Sequence, residues 1–353
     1  MLLIYRSVLK ELLIAFVLSV LFLNFTLMME DLLKFSRQLS GVGVSIADMS
    51  LVVFYLQPQV LTLTIPMAML LSVLLTYGRM NADNEIVVLR CSGMSFRSIS
   101  MPVVYLGIIC FVISLSMSFY FSPKGNKLLK ERVSQILTQR GFMTIEEGIF
   151  NTAFEGIVIM VKEKPAPDRL SGIFILDERN KEEQKIITAR QGRIFPGKDS
   201  LGFSLTDGHI YITKGKVFTE IGFGEYNFRL SPSAKERDPK NSELTPIELL
   251  RTSKEFPDRK TELLLEFHRR LSMPAICLIL VFLGPSLSLM AGKSGRLGGL
   301  TIGLAVFAAY YTLLLYGESL SRSDKLPHFV GSWLAFVALG MISFFIFERV
   351  NRK

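Results

Sequence analysis

Residues 53–78 read VFYLQPQVLTLTIPMAMLLSVLLTYG and contain no Asp, Glu, Lys or Arg. A helix needs about 20 mostly apolar residues to cross the hydrocarbon core of a bilayer. A charge at its centre would cost about 2.5–3.5 kcal/mol on insertion scales. The stretch therefore predicts a transmembrane helix, even though it contains two glutamines and two prolines.

Five further segments have the same character. The six predicted spans cover roughly 11–29, 53–78, 101–122, 271–291, 298–317 and 329–347. The composition agrees, because 50% of the 353 residues are hydrophobic and 20% are charged, which is more apolar than a soluble domain. The first span lacks a small-residue cleavage site and is followed by other spans, so we interpret it as an anchor rather than a signal peptide.

The distribution of Lys and Arg predicts the orientation of the spans. An even number of spans places both termini on one side, where ten Lys or Arg lie, whereas the two short loops opposite hold four. The long region 123–270 is not counted, because long domains translocate regardless of charge. The termini and the 79–100 loop are thus predicted in the cytoplasm. The net charge of +9 does not indicate nucleic-acid binding, since 123–270 is nearly balanced.

The region from about 144 to 230 predicts an all-β domain. Short runs such as GIVIMVKEK, SGIFILDERN and QKIITARQGRIF are rich in β-branched and aromatic residues and are separated by Gly, Pro and Asp. This spacing favours an antiparallel sandwich or jelly roll. The predicted fold is an α-helical membrane protein with six transmembrane helices and a jelly-roll-like periplasmic domain inserted between helices 3 and 4. Its predicted parts are 1–122, a transmembrane half; 123–258, the β-domain with flanking helices and linker; and 259–353, the second transmembrane half.

The loop between spans two and three contains a predicted cytoplasmic helix. Residues 79–95 read RMNADNEIVVLRCSGMS, in which Asn81 could cap a helix over 82–92 and Gly93 could end it in the left-handed conformation. Asp83 and Glu85 then lie near the start and Arg90 near the end, as the helix dipole favours.

Two interpretations of this helix are possible. Ile86, Leu89 and Arg90 share one face by the i, i+3, i+4 rule. That face could rest on lipid headgroups, but such helices are usually rich in Lys and Arg, whereas this one opens with two acids. The pattern favours a helix that docks on a cytoplasmic partner, with Glu85 meeting a basic group there.

The sequence predicts that this chain catalyses no reaction itself. Gly292-Lys293-Ser294 does not complete a phosphate-binding loop, because Leu287 stands where glycine is required. Three histidines and three cysteines show no metal-ligand spacing. A membrane enzyme or an ion-coupled transporter would need ionisable groups inside the spans, and those are missing. We therefore expect no catalytic residue, metal or cofactor, with ATP bound by a separate subunit. A non-transporting adaptor or assembly factor remains an alternative.

The chain resembles the LptF/LptG (YjgP/YjgQ) family of lipopolysaccharide export permeases over essentially its whole length. The resemblance is carried by an E-[IL]-x-x-[LM]-x-x-x-G pattern from Glu85 to Gly93, by EFHRR at 266–270 and by GPSLSLMAGKSGR at 284–296. The segments FNTAFEGIVIMV, TARQGRIF and GESLSRSDKLPHFVGSW look more like LptF than the paralogous LptG.

The resemblance implies the partners and the site. An LptF-type chain pairs with an LptG-like permease as a heterodimer, an LptB-like ATPase dimer grips the inner helices, and an LptC-like single-span protein joins them. Lipopolysaccharide leaves the inner membrane and passes to a periplasmic β-jelly-roll bridge, whereas nucleic acid has no part. The implied ATPase-coupling residues are Asp83, Glu85, Ile86, Leu89, Arg90 and Gly93.

The lipid itself suggests two further sets of candidate residues. Its phosphates need basic partners at the outer rim, where ordinary anchoring charges would also lie. The phosphate candidates are Lys34, Arg37, Lys124 and Lys127. Its acyl chains need an apolar groove in the β-domain. The residues that are candidates for lining this groove could equally form the core of the domain. These are Phe150, Phe154, Ile157, Ile159, Phe174 and Phe203.

Overall fold

The computed structural model describes residues 2–38, 45–140, 147–154, 156–166, 168–178, 184–196, 201–214, 217–230, 240–290 and 295–352. Its α-helices are α1 (Leu2–Gln38), α2 (Ile46–Ala82), α3 (Glu85–Cys91), α4 (Phe96–Ile99), α5 (Met101–Ser116), α6 (Ser122–Arg140), α7 (Pro246–Glu255), α8 (Lys260–Met290), α9 (Gly295–Arg322) and α10 (His328–Arg352). A π-helical turn, Met117–Phe121, joins α5 to α6, and short 3₁₀ turns cover Asn241–Glu243 and Pro257–Arg259.

Six helical stretches within the described residues are long and apolar enough to cross a membrane, which confirms the predicted number. They are Ile4–Phe35, Ile46–Ala82, Met101–Val133, Pro257–Met290, Thr301–Arg322 and His328–Arg352. Several are longer than the predicted spans. For example, α2 has 37 residues and a length of about 55 Å at 1.5 Å per residue. It therefore extends well beyond a hydrocarbon core of about 30 Å.

The chain divides into two compact units. The helical unit comprises Met1–Glu30, Leu56–Lys127 and Pro239–Lys353, and the second unit comprises Asp31–Tyr55 and Leu128–Asp238.

The helical unit is held by close packing and by satisfied polar side chains. Gly107 lies so near α8 that a Cβ added to it would be 2.3 Å from the Val281 Cγ2 atom. Small residues of this kind let membrane helices approach closely, because the hydrophobic effect does not drive helices together within lipid. Asn24 and Gln57 exchange side-chain hydrogen bonds of 3.1 and 3.3 Å between α1 and α2. Gln57, one of the two glutamines predicted inside span two, is therefore paired.

A capping box starts α7. The Thr245 hydroxyl accepts a hydrogen bond from the Glu248 amide, and the Glu248 carboxylate accepts one from the Thr245 amide at 2.7 Å, with Pro246 at the first helical position. The hydrogen bond from the Thr245 amide lowers the pKa of Glu248. This local pairing starts the helical segment that leads into α8.

The second unit contains the predicted β-structure as an open, six-stranded antiparallel sheet, consistent with a jelly-roll-like domain. Its strands are β1 (Asn151–Phe154), β2 (Ile157–Ala166), β3 (Arg169–Asp177), β4 (Gln184–Pro196), β5 (Leu201–Lys214) and β6 (Val217–Leu230). They are hydrogen-bonded in sequence order, β1 to β6. Alternating positions on one face form a core that includes Ile159, Ile175, Ile187 and Phe203, as expected for half-buried strands.

A row of irregular residues crosses this sheet. Regular pairing is interrupted at one residue of each of five neighbouring strands: Lys162, Gly172, Arg190, Asp207 and Gly224. Gly172 and Asp207 have φ angles of 63° and 55°. The buried positions change phase across the row, for example from Leu205 to Gly208. The pairing register is the same on both sides of the row. The change of phase therefore occurs in the neighbouring strands together, and apolar side chains lie in one core on both sides of the row.

Candidate functional site

The loop between spans two and three contains a helix, but its start differs from the prediction. The helix α3 begins at Glu85 rather than at position 82, and Asn81 does not cap it, because α2 continues to Ala82. The turn instead uses Asn84, whose φ is 58° and whose side chain makes no capping hydrogen bond. Asn tolerates this left-handed conformation better than most residues. Gly93 has φ of 89°, as predicted for the residue that ends such a helix.

The face of α3 that carries Ile86, Leu89 and Arg90 packs against the chain itself. Ile86 is 2% exposed, and Leu89 lies against the same core of the helical unit. The Arg90 guanidinium donates a hydrogen bond from Nη2 to the Val350 carbonyl at 3.1 Å and lies 5.1 Å from the centre of the Phe96 ring. These residues fix α3 to the bundle.

The opposite face of α3 presents apolar side chains outward. Val87 is 52% exposed, Val88 is 65% exposed and Cys91 is exposed. The sequence interpretation concentrated on the Ile86 face and missed these residues. A signal existed, because both faces of the helix are apolar and only one can pack against the bundle. The exposed face of α3 therefore consists of Val87, Val88 and Cys91.

One arginine at the end of α2 gathers three acidic residues. Arg79 Nη1 lies 2.6 Å from Glu85 Oε1 and 2.9 Å from Asp83 Oδ2. Its Nε and Nη2 atoms donate to the two carboxylate oxygens of Glu11 at 2.5 and 2.7 Å. Glu85, the acid implied as the coupling residue, is thus held by an intramolecular ion pair and is 43% exposed. The sequence interpretation gave neither Arg79 nor Glu11 a role.

The loop between spans two and three meets α1 and α10, the first and last helices, at one end of the helical unit. Glu11 of α1 contacts Arg79, and Val350 of α10 contacts Arg90. Arg97 of α4 lies 3.4 Å from Glu348 of α10. Six spans require this arrangement, since an even number returns the chain to its starting side.

The four candidate phosphate ligands lie in two places in the chain. Lys34 is exposed near the end of α1 and is 3.5 Å from Asp31, one helical turn away. Arg37 is in α1, but its side chain lies outside the described residues. Lys124 and Lys127 are exposed on the first turns of α6, and the Lys124 ammonium lies 5.7 Å from the centre of the Tyr120 ring.

The six candidate groove residues divide into different environments. Ile157, Ile159 and Phe203 are buried in the core of the sheet, and Phe203 is 0% exposed. Phe174 points away from its buried neighbours and lies 6.2 Å from the Phe150 ring, which is 60% exposed. Phe154 is in β1, and its side chain lies outside the described residues. Phe150 and Phe174 therefore form an accessible aromatic pair.

A buried acid at the far end of α9 also escaped the sequence interpretation. The Glu318 side chain is 4% exposed and lies 3.7 Å from Arg269 and 3.9 Å from Arg322. The predicted span ends at position 317, immediately before this acid. Among the residues that the structure describes, no three His, Cys, Asp or Glu side chains come together in a group that could hold a metal.

The six spanning helices, the inserted β-sheet and the loop helix between spans two and three define a multi-pass membrane protein of the permease type. Residues 6–349 match the family described as lipopolysaccharide export system permease LptF/LptG, and the chain belongs to this family. It is a transporter subunit of the inner membrane and not itself a catalyst. An uncharacterized protein of Rickettsia prowazekii is 24% identical over 241 residues, which cover 66% of this chain and 67% of that protein.

Proposed function

We propose that this chain is the LptF-type half of an ABC exporter, which extracts lipopolysaccharide from the inner membrane under the power of a separate cytoplasmic ATPase. Its partners are an LptG-like permease, an LptB-like ATPase dimer and an LptC-like single-span protein. The extracted lipid passes to a periplasmic β-jelly-roll bridge, to which the sheet of this chain contributes. Both termini and α3 lie in the cytoplasm, and the sheet lies in the periplasm.

The single observation that carries the proposal is the position of α3. This helix is fixed to the bundle by Ile86, Leu89 and Arg90, while Val87, Val88 and part of Glu85 remain accessible. Exposed apolar side chains beside a carboxylate suit a protein groove that supplies a basic group. In the chain, α3 is connected to α2 on one side and through α4 to α5 on the other. A force on α3 can therefore move two spanning helices.

Extraction of a lipid with several acyl chains requires such an external energy source. Each buried methylene favours the membrane by about 0.8 kcal/mol, and this chain is not itself a catalyst. The ATPase must therefore drive rigid-body movement of the helices, as in other transport switches. In this proposal α3 receives that movement.

The lipid-contacting residues complete the proposal. Lys34 and Arg37 on α1 and Lys124 and Lys127 on α6 are proposed to contact lipid phosphates, for which ammonium and guanidinium groups are suitable partners. The accessible pair of Phe150 and Phe174 is proposed to contact acyl chains. Ile157, Ile159 and Phe203 support the sheet from its core instead.

Purification of the full complex from the native membrane tests the proposal. The wild-type chain is expected to bring with it an ATPase and a second, LptG-like permease, and Glu85→Ala is expected to weaken the association with the ATPase or the coupling of ATP hydrolysis to lipopolysaccharide release. Glu255→Ala is the matched control, because Glu255 is an exposed acid that pairs at 3.1 Å with Arg251, one turn earlier on the same helix. A chain that purifies without any ATPase would favour the adaptor or assembly factor instead.

A further inference from the structure

The ion-pair cluster around Arg79 joins three helical elements. Glu11 belongs to α1, Arg79 to the last turn of α2, and Glu85 to the first turn of α3. Both oxygens of Glu11 accept hydrogen bonds from Nε and Nη2 of the guanidinium. Asp83 and Glu85 accept hydrogen bonds from Nη1, and Glu85 also accepts a longer one of 3.5 Å from Nη2. The planar guanidinium thus fixes the direction as well as the distance between α1 and α3.

The cluster is poorly suited to a purely stabilising role. One guanidinium faces three carboxylates, so the group carries a net negative charge in which the acids repel each other. The four side chains are between 30% and 54% exposed, and ion pairs at such positions contribute little to stability. What the cluster supplies is a defined geometry between two elements that are far apart in the sequence.

Helix α1 depends on few polar contacts for its position. Its outward face is apolar, with Ile14, Leu18 and Phe22 more than half exposed in the described chain. The groove beside it, bounded by α2, also contains Glu11 and Arg79. At the same end the Tyr5 hydroxyl contacts the Ser98 hydroxyl of α4. The bidentate pair of Glu11 and Arg79 connects α1 to the end of α2, and the pair of Arg79 and Glu85 continues that charged connection to α3.

We propose that Arg79 is a positioning residue that transmits displacement of α3 to α1. This inference rests on the proposed function, in which the ATPase moves α3 through contacts that include Glu85. Because one rigid guanidinium holds Glu85 at 2.6 Å through Nη1 and Glu11 through Nε and Nη2, a shift of Glu85 carries the guanidinium and draws Glu11 with it. Helix α1 then moves together with α3 while the ATPase remains bound.

The test compares Glu11→Gln with Glu348→Gln in the full complex purified from native membrane and reconstituted in proteoliposomes that contain lipopolysaccharide. Each variant removes one carboxylate from an ion pair at the same end of the helical unit, since Glu348 pairs with Arg97 and Arg352. Only Glu11→Gln weakens the connection to α1. The measurements are the amount of ATPase that co-purifies, the unfolding temperature, and the lipopolysaccharide released per ATP hydrolysed.

Glu11→Gln is expected to retain the ATPase but to lower lipid release per ATP by about fivefold or more, the lower end of typical coupling energies. Glu348→Gln is expected to remain close to the wild type. Arg79→Lys keeps the charge but loses the fork, so it is expected to uncouple release without loss of folding, even if Glu11→Gln folds poorly. Equal ratios for Glu11→Gln and Glu348→Gln, normal coupling in Arg79→Lys, or loss of the ATPase from Glu11→Gln would overturn the inference. Failure of the proposed function is distinct, because the wild-type complex itself would then lack an ATPase.

Discussion

Arg90 of α3 donates a hydrogen bond to the backbone carbonyl of Val350, 3.1 Å away, although 260 positions separate the two residues in the sequence. The contact places the loop helix beside the last turns of the final span. It also explains why the charged end of α3 does not face outward. The exposed residues of α3 are therefore the ones to label or substitute in order to test what α3 contacts.

Thiol labelling of Cys91 is expected to occur from the cytoplasmic side only. Cys91 is exposed on α3, whereas Cys110 and Cys277 are buried. A membrane-impermeant maleimide should therefore leave Cys91 unmodified in intact cells with a permeabilised outer membrane and modify it in inverted vesicles from which peripheral proteins have been removed. Cys91→Ser should abolish the labelling and provides the control. Labelling in the intact cells would place α3 in the periplasm and would refute the proposed orientation.

Val88→Glu is expected to weaken association with the ATPase, whereas Ile86→Ala is expected to lower the stability of the chain. Val88 is 65% exposed, so a charge there should weaken association with the ATPase while the unfolding temperature changes little. Ile86 is buried in the core of the helical unit, and its truncation should lower the free energy of unfolding by about 2–5 kcal/mol. Co-purification and thermal unfolding of both variants check this. The opposite assignment, with Val88→Glu unfolding the chain, would show that the exposed face of α3 is not a docking surface.

Gly107→Ala is expected to destabilise the helical unit, because the added methyl group would lie 2.3 Å from Val281 Cγ2. The cost of such overpacking is about 1–3 kcal/mol. Gly78→Ala is the matched control, since nothing lies within 4 Å of its added Cβ. There the better helix propensity of alanine should be neutral or slightly stabilising. Thermal unfolding in detergent distinguishes the two variants, and equal behaviour would contradict the close approach of α5 and α8.

Phe203→Ala is expected to lower the stability of the sheet, whereas Phe150→Ala is expected to reduce its contact with lipid. Phe203 is fully buried, so its loss should cost about 3–5 kcal/mol. Phe150 is largely exposed and packs edge-on against Phe174, so its loss should leave stability nearly unchanged. Only Phe150→Ala should reduce photo-crosslinking of the folded sheet to acyl chains. Unchanged crosslinking would remove the aromatic pair from the proposed lipid path.

The class of each element followed from the sequence because the determining interactions are local. Length and hydropathy predict the spans, and residue type and spacing predict the strands. The start of α3 was not predictable in this way. Asn81 is a good capping residue in isolation, but α2 continues past it, and the turn occurs at Asn84.

The candidate site depends more strongly on tertiary contacts. Which face of α3 packs inward is decided by the core around Ile86 and by Val350, which lies far away in the sequence. The pairing of Arg79 with Glu11 likewise joins residues 68 positions apart. Neither contact leaves a periodic signal, so the sequence identified Glu85 but not the residues that hold it.

The most direct test of the account is to place a photoreactive amino acid at position 88 and to irradiate the cells. The Val88 side chain is 65% exposed and lies on the face of α3 opposite Ile86. The account predicts an adduct that contains the cytoplasmic ATPase and that is lost or reduced in Glu85→Ala. An adduct with periplasmic proteins, or with lipid alone, would contradict it.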